Sequence, residues 1–164
     1  MASWPEFLPT SLLRRLAESG VDFVLVGGLA VVAQGYPRLT RDVDICHSTD
    51  ADNLNALGEV LVALEARLRG LEEDVPFVPD AEALRRVEML TLSTTQGELD
   101  LLVAPPGAAD YAGLRRRADR IELAGVRVLV ASVDDLLAMK RAAGRPQDLL
   151  DVEALEAVRR RRSR

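Results

Sequence analysis

VLVGGLAVVAQGYPRLTRDVDICH, residues 24–47, sets two local patterns side by side. The stretch VDFVLV (21–26) is short, β-branched and nearly all apolar, which predicts a buried strand. Gly27-Gly28 interrupts it. LAVVAQ (29–34) then predicts a short helix closed by Gly35, and YPRLT (36–40) a loop. RDVDICH (41–47) alternates polar and apolar residues, the period of a half-buried strand. Two glycines between a strand and a helix let the backbone come close to a ligand, and the free N–H groups of the helix start suit a phosphate chain. The same pair also serves a bare strand-to-helix turn.

Asp42 and Asp44 lie two apart in a predicted strand, so both carboxylates point to one face, with Val43 and Ile45 turned into the core. Adjacent carboxylates repel and need a cation or solvent between them. Hard oxygen ligands on a rigid strand suit Mg²⁺, which takes one or two carboxylates plus substrate phosphates. Further on, ELDLLVA (98–104) puts Glu98, Asp100 and Leu102 on one face and Leu99, Leu101 and Val103 on the other. An acid in so apolar a strand is costly to bury unless it is paired or bound to metal. Asp100 is the candidate third ligand. Glu98, nearer the turn, is the alternative, and a salt bridge to an arginine would also explain Asp100.

Outward from this centre, residues 9–19 predict a helix ended by Gly20, and 50–69 a long helix ended by Gly70. Residues 71–87 hold two prolines, with one helical turn expected from Asp80. EMLTLST (88–94) and ELDLLVA form a hairpin around Thr95-Gln96-Gly97. A short helix is expected over 109–117 and a second hairpin over 119–132. Ser132 and Asp135 form a capping box for a helix running to Gly144, and Pro146 opens the last helix, to about 159. The result is an α+β fold: a mixed β-sheet flanked by helices, with too many hairpins for a purely parallel sheet. One domain is expected over 1–158, followed by a disordered basic tail, 159–164.

The 164 residues carry a net charge of −5, 48% hydrophobic and 29% charged residues, a globular balance. An acidic chain is not a generic nucleic-acid binder. A single cysteine, Cys46, allows no internal disulfide and reads as a small buried hydrophobe. No signal peptide or membrane-length apolar run is visible, so a cytoplasmic protein without a membrane partner is expected. His47, the one histidine, reads as a surface residue more readily than as a general base.

Taken together, strand, Gly27-Gly28, short helix, Asp42-x-Asp44 strand and a later strand bearing Asp100 resemble the DNA polymerase β-type nucleotidyltransferase superfamily. VGGLAVVAQGYPRLTRDVDI is similar to its small toxin-type and antibiotic-type members, with Gly35, Arg38 and Thr40 at matching places. LLAMKRAAGRPQDLLDVEAL resembles the helical tail of abortive-infection-type transferases through Lys140, Arg145 and Asp148. Residues 50–87 carry no matching motif, and the additional C-terminal domain of larger toxin-type relatives is not expected here.

The resemblance implies a nucleotidyltransferase-like fold and two-metal transfer of a nucleoside monophosphate from a nucleoside triphosphate such as ATP to a hydroxyl acceptor. Asp42, Asp44 and Asp100 would hold two Mg²⁺ ions, or Mn²⁺ in their place. Gly27 and Gly28 would cradle the phosphates, with Arg38, Thr40 and Lys140 completing the nucleotide site. A toxin-like acceptor, RNA or protein, with a cognate antitoxin is the first expectation. An aminoglycoside-type small molecule is the second and would need an acidic pocket, from Glu98 or Glu88. A non-catalytic nucleotide- or partner-binding module is the third. The apolar face of the 50–69 helix suggests a homodimer surface.

Overall fold

The computed structural model describes residues 9–71, 77–108 and 110–164. The chain begins with helix α1 (Pro9–Glu18), whose Leu12, Leu13 and Leu16 are buried. Strand β1 (Phe23–Val26) is buried throughout and runs directly into helix α2 (Gly27–Ala33), so the helix starts at Gly27 rather than two residues later. β2 (Asp42–His47) follows the loop, then α3 (Ala51–Ala63), β3 (Arg67–Leu68) and α4 (Ala81–Arg85). The hairpin β4 (Met89–Thr94) and β5 (Gly97–Leu102), helix α5 (Tyr111–Arg117), the hairpin β6 (Asp119–Leu123) and β7 (Val126–Val130), and helices α6 (Val133–Ala143) and α7 (Pro146–Arg162) complete it.

The strands form one mixed sheet in the order β3-β4-β5-β2-β1-β7-β6. β2 lies parallel to β5 and antiparallel to β1, and β1 is parallel to β7. The α+β fold with a mixed sheet and flanking helices is therefore the one the sequence predicts. Val43, Ile45, Leu99 and Leu101 pack with Leu12, Leu16, Leu54, Leu57 and Leu61 in the core. The alternation in β2 and β5 leaves their acidic residues on the opposite face.

Three elements depart from expectation. α3 stops at Ala63 instead of reaching 69. Glu65 takes a left-handed conformation (φ 51°), and the Ala66 N–H donates back to the Leu61 carbonyl, a helix-terminating pattern that needs no glycine. The freed residues form β3 on the sheet edge, pairing Arg67 with Ser93 and Leu68 with Leu92. The apolar face of α3 packs in the core, and Val62 is its exposed large apolar side chain. At the C-terminus, α7 continues through Arg162, where a disordered tail is expected from 159, and Arg162 donates to the Gln34 side chain.

The expected capping box at α6 is half formed: Ser132 accepts from the Asp135 N–H, while the Asp135 carboxylate pairs with Arg117. Asp80 accepts from the Ala83 N–H, and Gly144 ends α6 at φ 64°. Thr94 pairs with Gly97, leaving Thr95-Gln96 as a two-residue turn. Part of the stretch 71–87 and the first residue of the expected 109–117 helix lie outside the described residues. No helix among the described residues is long and apolar enough to cross a membrane.

Candidate active site

The parallel register of β2 and β5 sets Asp42 opposite Glu98 and Asp44 opposite Asp100. Residues in register on neighbouring strands point to the same face. β4 places Thr91 opposite Asp100, and β1 places Val26 opposite Asp44. One row thus crosses the sheet through Thr91, Asp100, Asp44 and Val26, and the chain leaves Val26 into Gly27. A cleft of about 800 Å³ opens over this row. Gly27, Gly28, Arg38, Thr40, Asp42, Asp44, Asp100 and Lys140, the eight residues singled out in the sequence, all line it.

Each glycine has a steric reason. Gly27 has φ +71°, and a Cβ there would lie 2.0 Å from Asp44 Oδ2. A Cβ on Gly28 would come within 2.6 Å of the Arg38 guanidinium and 2.9 Å of Thr40 Oγ1. The pair lets three polar side chains approach the start of α2. That helix has no side-chain cap, so its first N–H groups are not taken by one.

The acids crowd one another. Burial, a hydrogen bond with Asp100 and the charges of Asp100 and Asp42 push the Asp44 carboxyl up to about 8, with Lys140 pulling the other way. Burial also raises Asp100, against the pull of Arg69 and the bond from Asp44. A hydrogen bond shared with Asp42, then burial, raises Glu98. Arg69, just beyond β3, reaches into this group, 2.7 Å from Asp100, 2.9 Å from Glu98 and 3.6 Å from Asp42.

Hard oxygen donors on two rigid strands, with negative charge in surplus, fit a divalent cation such as Mg²⁺. Among the described residues, no three His, Cys, Asp or Glu side chains stand in closed ligating geometry. The cation within the group is the Arg69 guanidinium.

Positive charge lines the other wall. Lys140, only 8% exposed, lies 2.9 Å from Asp151 and 3.2 Å from Asp148. Arg38 Nε lies 3.0 Å from Asp151, and Arg145 Nε 2.7 Å from Asp148. Burial raises the Asp148 carboxyl, but bonds from Arg145 and Lys140 outweigh it and hold it below the usual range. Arg38 and Lys140 therefore reach the cleft from fixed positions, and Arg41 and Arg145 line it beside them.

His47 takes no part. It sits at the far end of β2 opposite Phe23, buried, its Nδ1 against the Ser48 carbonyl, and burial lowers its pKa. It is not the surface residue expected. Cys46 is fully buried, and burial pushes its thiol up to about 11. Glu88 is exposed and outside the cleft lining. Two residues of the site lie outside the motifs the sequence displays. Arg69 depends on β3, which the helix pattern hid. Asp151 sits three residues after Asp148 on α7, a spacing visible in DLLD (148–151).

Residues 11–161 match the model of a family described as nucleotidyltransferase of unknown function (DUF6036). The chain belongs to this nucleotidyltransferase family. Among curated proteins, none matches it in sequence. Among solved structures, the enzyme resembles lincosamide antibiotic adenylyltransferase LnuA in its lincomycin-bound form. The identity is 15% over 93% of this chain and 97% of that one, with a TM-score of 0.63. It also resembles ANT(2″)-Ia in complex with adenylyl-2″-tobramycin, at 16% identity over 93% and 91% of the two chains and TM-score 0.57. A Thermotoga maritima protein described as a nucleotidyltransferase matches at 18% identity over 93% and 88%, TM-score 0.51. At these identities the likeness concerns the fold of the nucleotidyltransferase, not its acceptor.

Proposed function

We propose that this nucleotidyltransferase moves a nucleoside monophosphate from a nucleoside triphosphate to a hydroxyl acceptor, with Mg²⁺ held by Asp42, Asp44 and Asp100. The observation that carries this is the register of Asp44 with Asp100 on parallel strands, beside a glycine whose missing Cβ makes room for Asp44. A pair of divalent ions would supply charge neutralisation for the attacking and leaving oxygens. The protein's own residues do the rest. The open N–H groups at Gly27 and Gly28 hold phosphate oxygens, and Thr40 closes the same corner. Arg38 and Lys140, fixed through Asp151, neutralise the triphosphate and hold its reacting phosphorus in place. Asp100 lies on the β4 side of the row and orients the acceptor hydroxyl. Pyrophosphate leaves toward the Arg38–Lys140 wall.

RNA or protein is the favoured acceptor, in a toxin-like role that rests on the sequence resemblance. A cationic drug needs unpaired acids in the cleft besides the metal-holding aspartates, yet neither Glu98 nor Glu88 is part of its lining. The test is incubation with each α-labelled triphosphate and Mg²⁺, with total RNA, with cell protein and with aminoglycosides. Label on RNA or protein is expected, and none with Asp44→Asn. Label carried on a drug alone would replace this acceptor reading. No transfer under any condition would refute the function.

A further inference from the structure

We propose that Arg69 is a built-in counter-ion of the active site, holding the place of a divalent cation among Asp42, Glu98 and Asp100 until metal displaces it. The inference rests on the metal assignment given under Proposed function, and it concerns a residue outside the motifs that led there.

Three observations place Arg69 in this role. First, its position is built by the sheet. The Arg69 N–H donates to the Thr91 carbonyl at 3.0 Å, which sets it at the end of the row that runs through Thr91, Asp100 and Asp44. From the edge the side chain spans β4 to reach acids on β5 and β2. Second, one guanidinium meets three carboxylates, 2.7 Å from Asp100, 2.9 Å from Glu98 and 3.6 Å from Asp42. A planar fork with several donors can do this, and an ammonium cannot span them in the same way. Third, the side chain remains 24% exposed and follows a strand of only two residues. It can swing toward solvent without opening the core.

A guanidinium and a divalent ion repel, and they cannot share the same carboxylate oxygens. Metal loading therefore requires Arg69 to withdraw, and the ion pairs it leaves are subtracted from the metal's affinity. Arg69 also accounts for how four acids are tolerated before metal arrives. It offsets the β5 side and Asp42, leaving Asp44 as the acid it does not touch. The consequence is a nucleotidyltransferase that binds free divalent ions weakly.

The test uses the full chain and Mn²⁺ alone, with bound and free ion separated by electron paramagnetic resonance. Arg69→Gln is expected to bind Mn²⁺ about tenfold more tightly than the parent, the factor set by losing one modest competing ion-pair group. Asp44→Asn should abolish binding in both backgrounds. Equal or weaker Mn²⁺ binding by Arg69→Gln, with Asp44→Asn still abolishing it, overturns the counter-ion role and leaves the metal assignment intact. No binding by the parent or by Arg69→Gln overturns both. Near-UV circular dichroism checks the fold. Should the Gln variant not fold, Arg69→Lys keeps the charge but loses the fork, and it too must bind more tightly than the parent or the proposal fails.

Discussion

Two groups of acids face each other across the cleft, and they solve the same electrostatic problem in opposite ways. On the sheet, the guanidinium of Arg69 meets Asp42, Glu98 and Asp100, and the carboxyl of Asp44, which it does not touch, is pushed up to about 8. Between α6, α7 and the 36–40 loop, Asp148 and Asp151 are met by Arg38, Lys140 and Arg145, and Asp148 is held below its usual range. The second group is closed. Its carboxylates have their partners, and they fix two helices and a loop. The first is short of positive charge, although its backbone is as rigid. Burial alone does not distinguish a structural acid from a functional one; the local balance of charge does. Surplus negative charge beside surplus positive charge is also what a metal–triphosphate complex would bridge.

Substitutions should separate the two groups. The largest effect is expected for Asp44→Asn on transfer, a loss of roughly 10³-fold in kcat with the fold retained, since a charge aimed at the reacting centre is removed. Labelled-triphosphate turnover measures it, and near-parental activity would end the contrast. Asp151→Asn comes next and acts on stability. Arg38 and Lys140 would lose a fully buried carboxylate, at a cost of about 3 kcal/mol in urea unfolding. Gly27→Ala is third. Its left-handed backbone and the blocked approach of Asp44 should cost about 1–3 kcal/mol and lower activity as well.

The smallest effect is in pH dependence. A carboxyl whose pKa rises on folding, here from 3.8 to about 8, binds more protons in the folded state than in the unfolded state between those values. Its contribution to stability is present below the unfolded pKa and is lost as pH rises through the folded one. Without divalent ions, Asp44→Asn should therefore gain in Tm over the parent as pH rises from 5 to 8. A constant difference would show that Asp44 is not strained by its neighbours.

Much of this contrast was legible in the sequence, and for definable reasons. The period of two in RDVDICH and ELDLLV sets which side chains share a face, and that placed Asp42, Asp44 and Asp100 before any pairing was known. Strand neighbours were not legible from period alone. That β2 lies between β1 and β5, in a register joining Asp44 to Asp100, is a property of the assembled sheet. Arg69 was hidden because residues 50–69 keep helical spacing across the point where Glu65 ends the helix. Lys140 was legible as a candidate, but its burial against Asp148 and Asp151 depends on how α6 packs on α7. His47 misled because a strand end need not lie at the surface. Here Ser48 and Asn53 continue the packing beyond it.

The central claim concerns where a divalent ion sits, and one measurement addresses it directly: a crystal structure with Mn²⁺ and a non-hydrolysable triphosphate, read by the anomalous signal of the metal. The account requires a Mn²⁺ peak touching the Asp42 and Asp44 carboxylates, with phosphate oxygens at Gly27 and Gly28. A triphosphate bound elsewhere, or Mn²⁺ away from both aspartates, would contradict it.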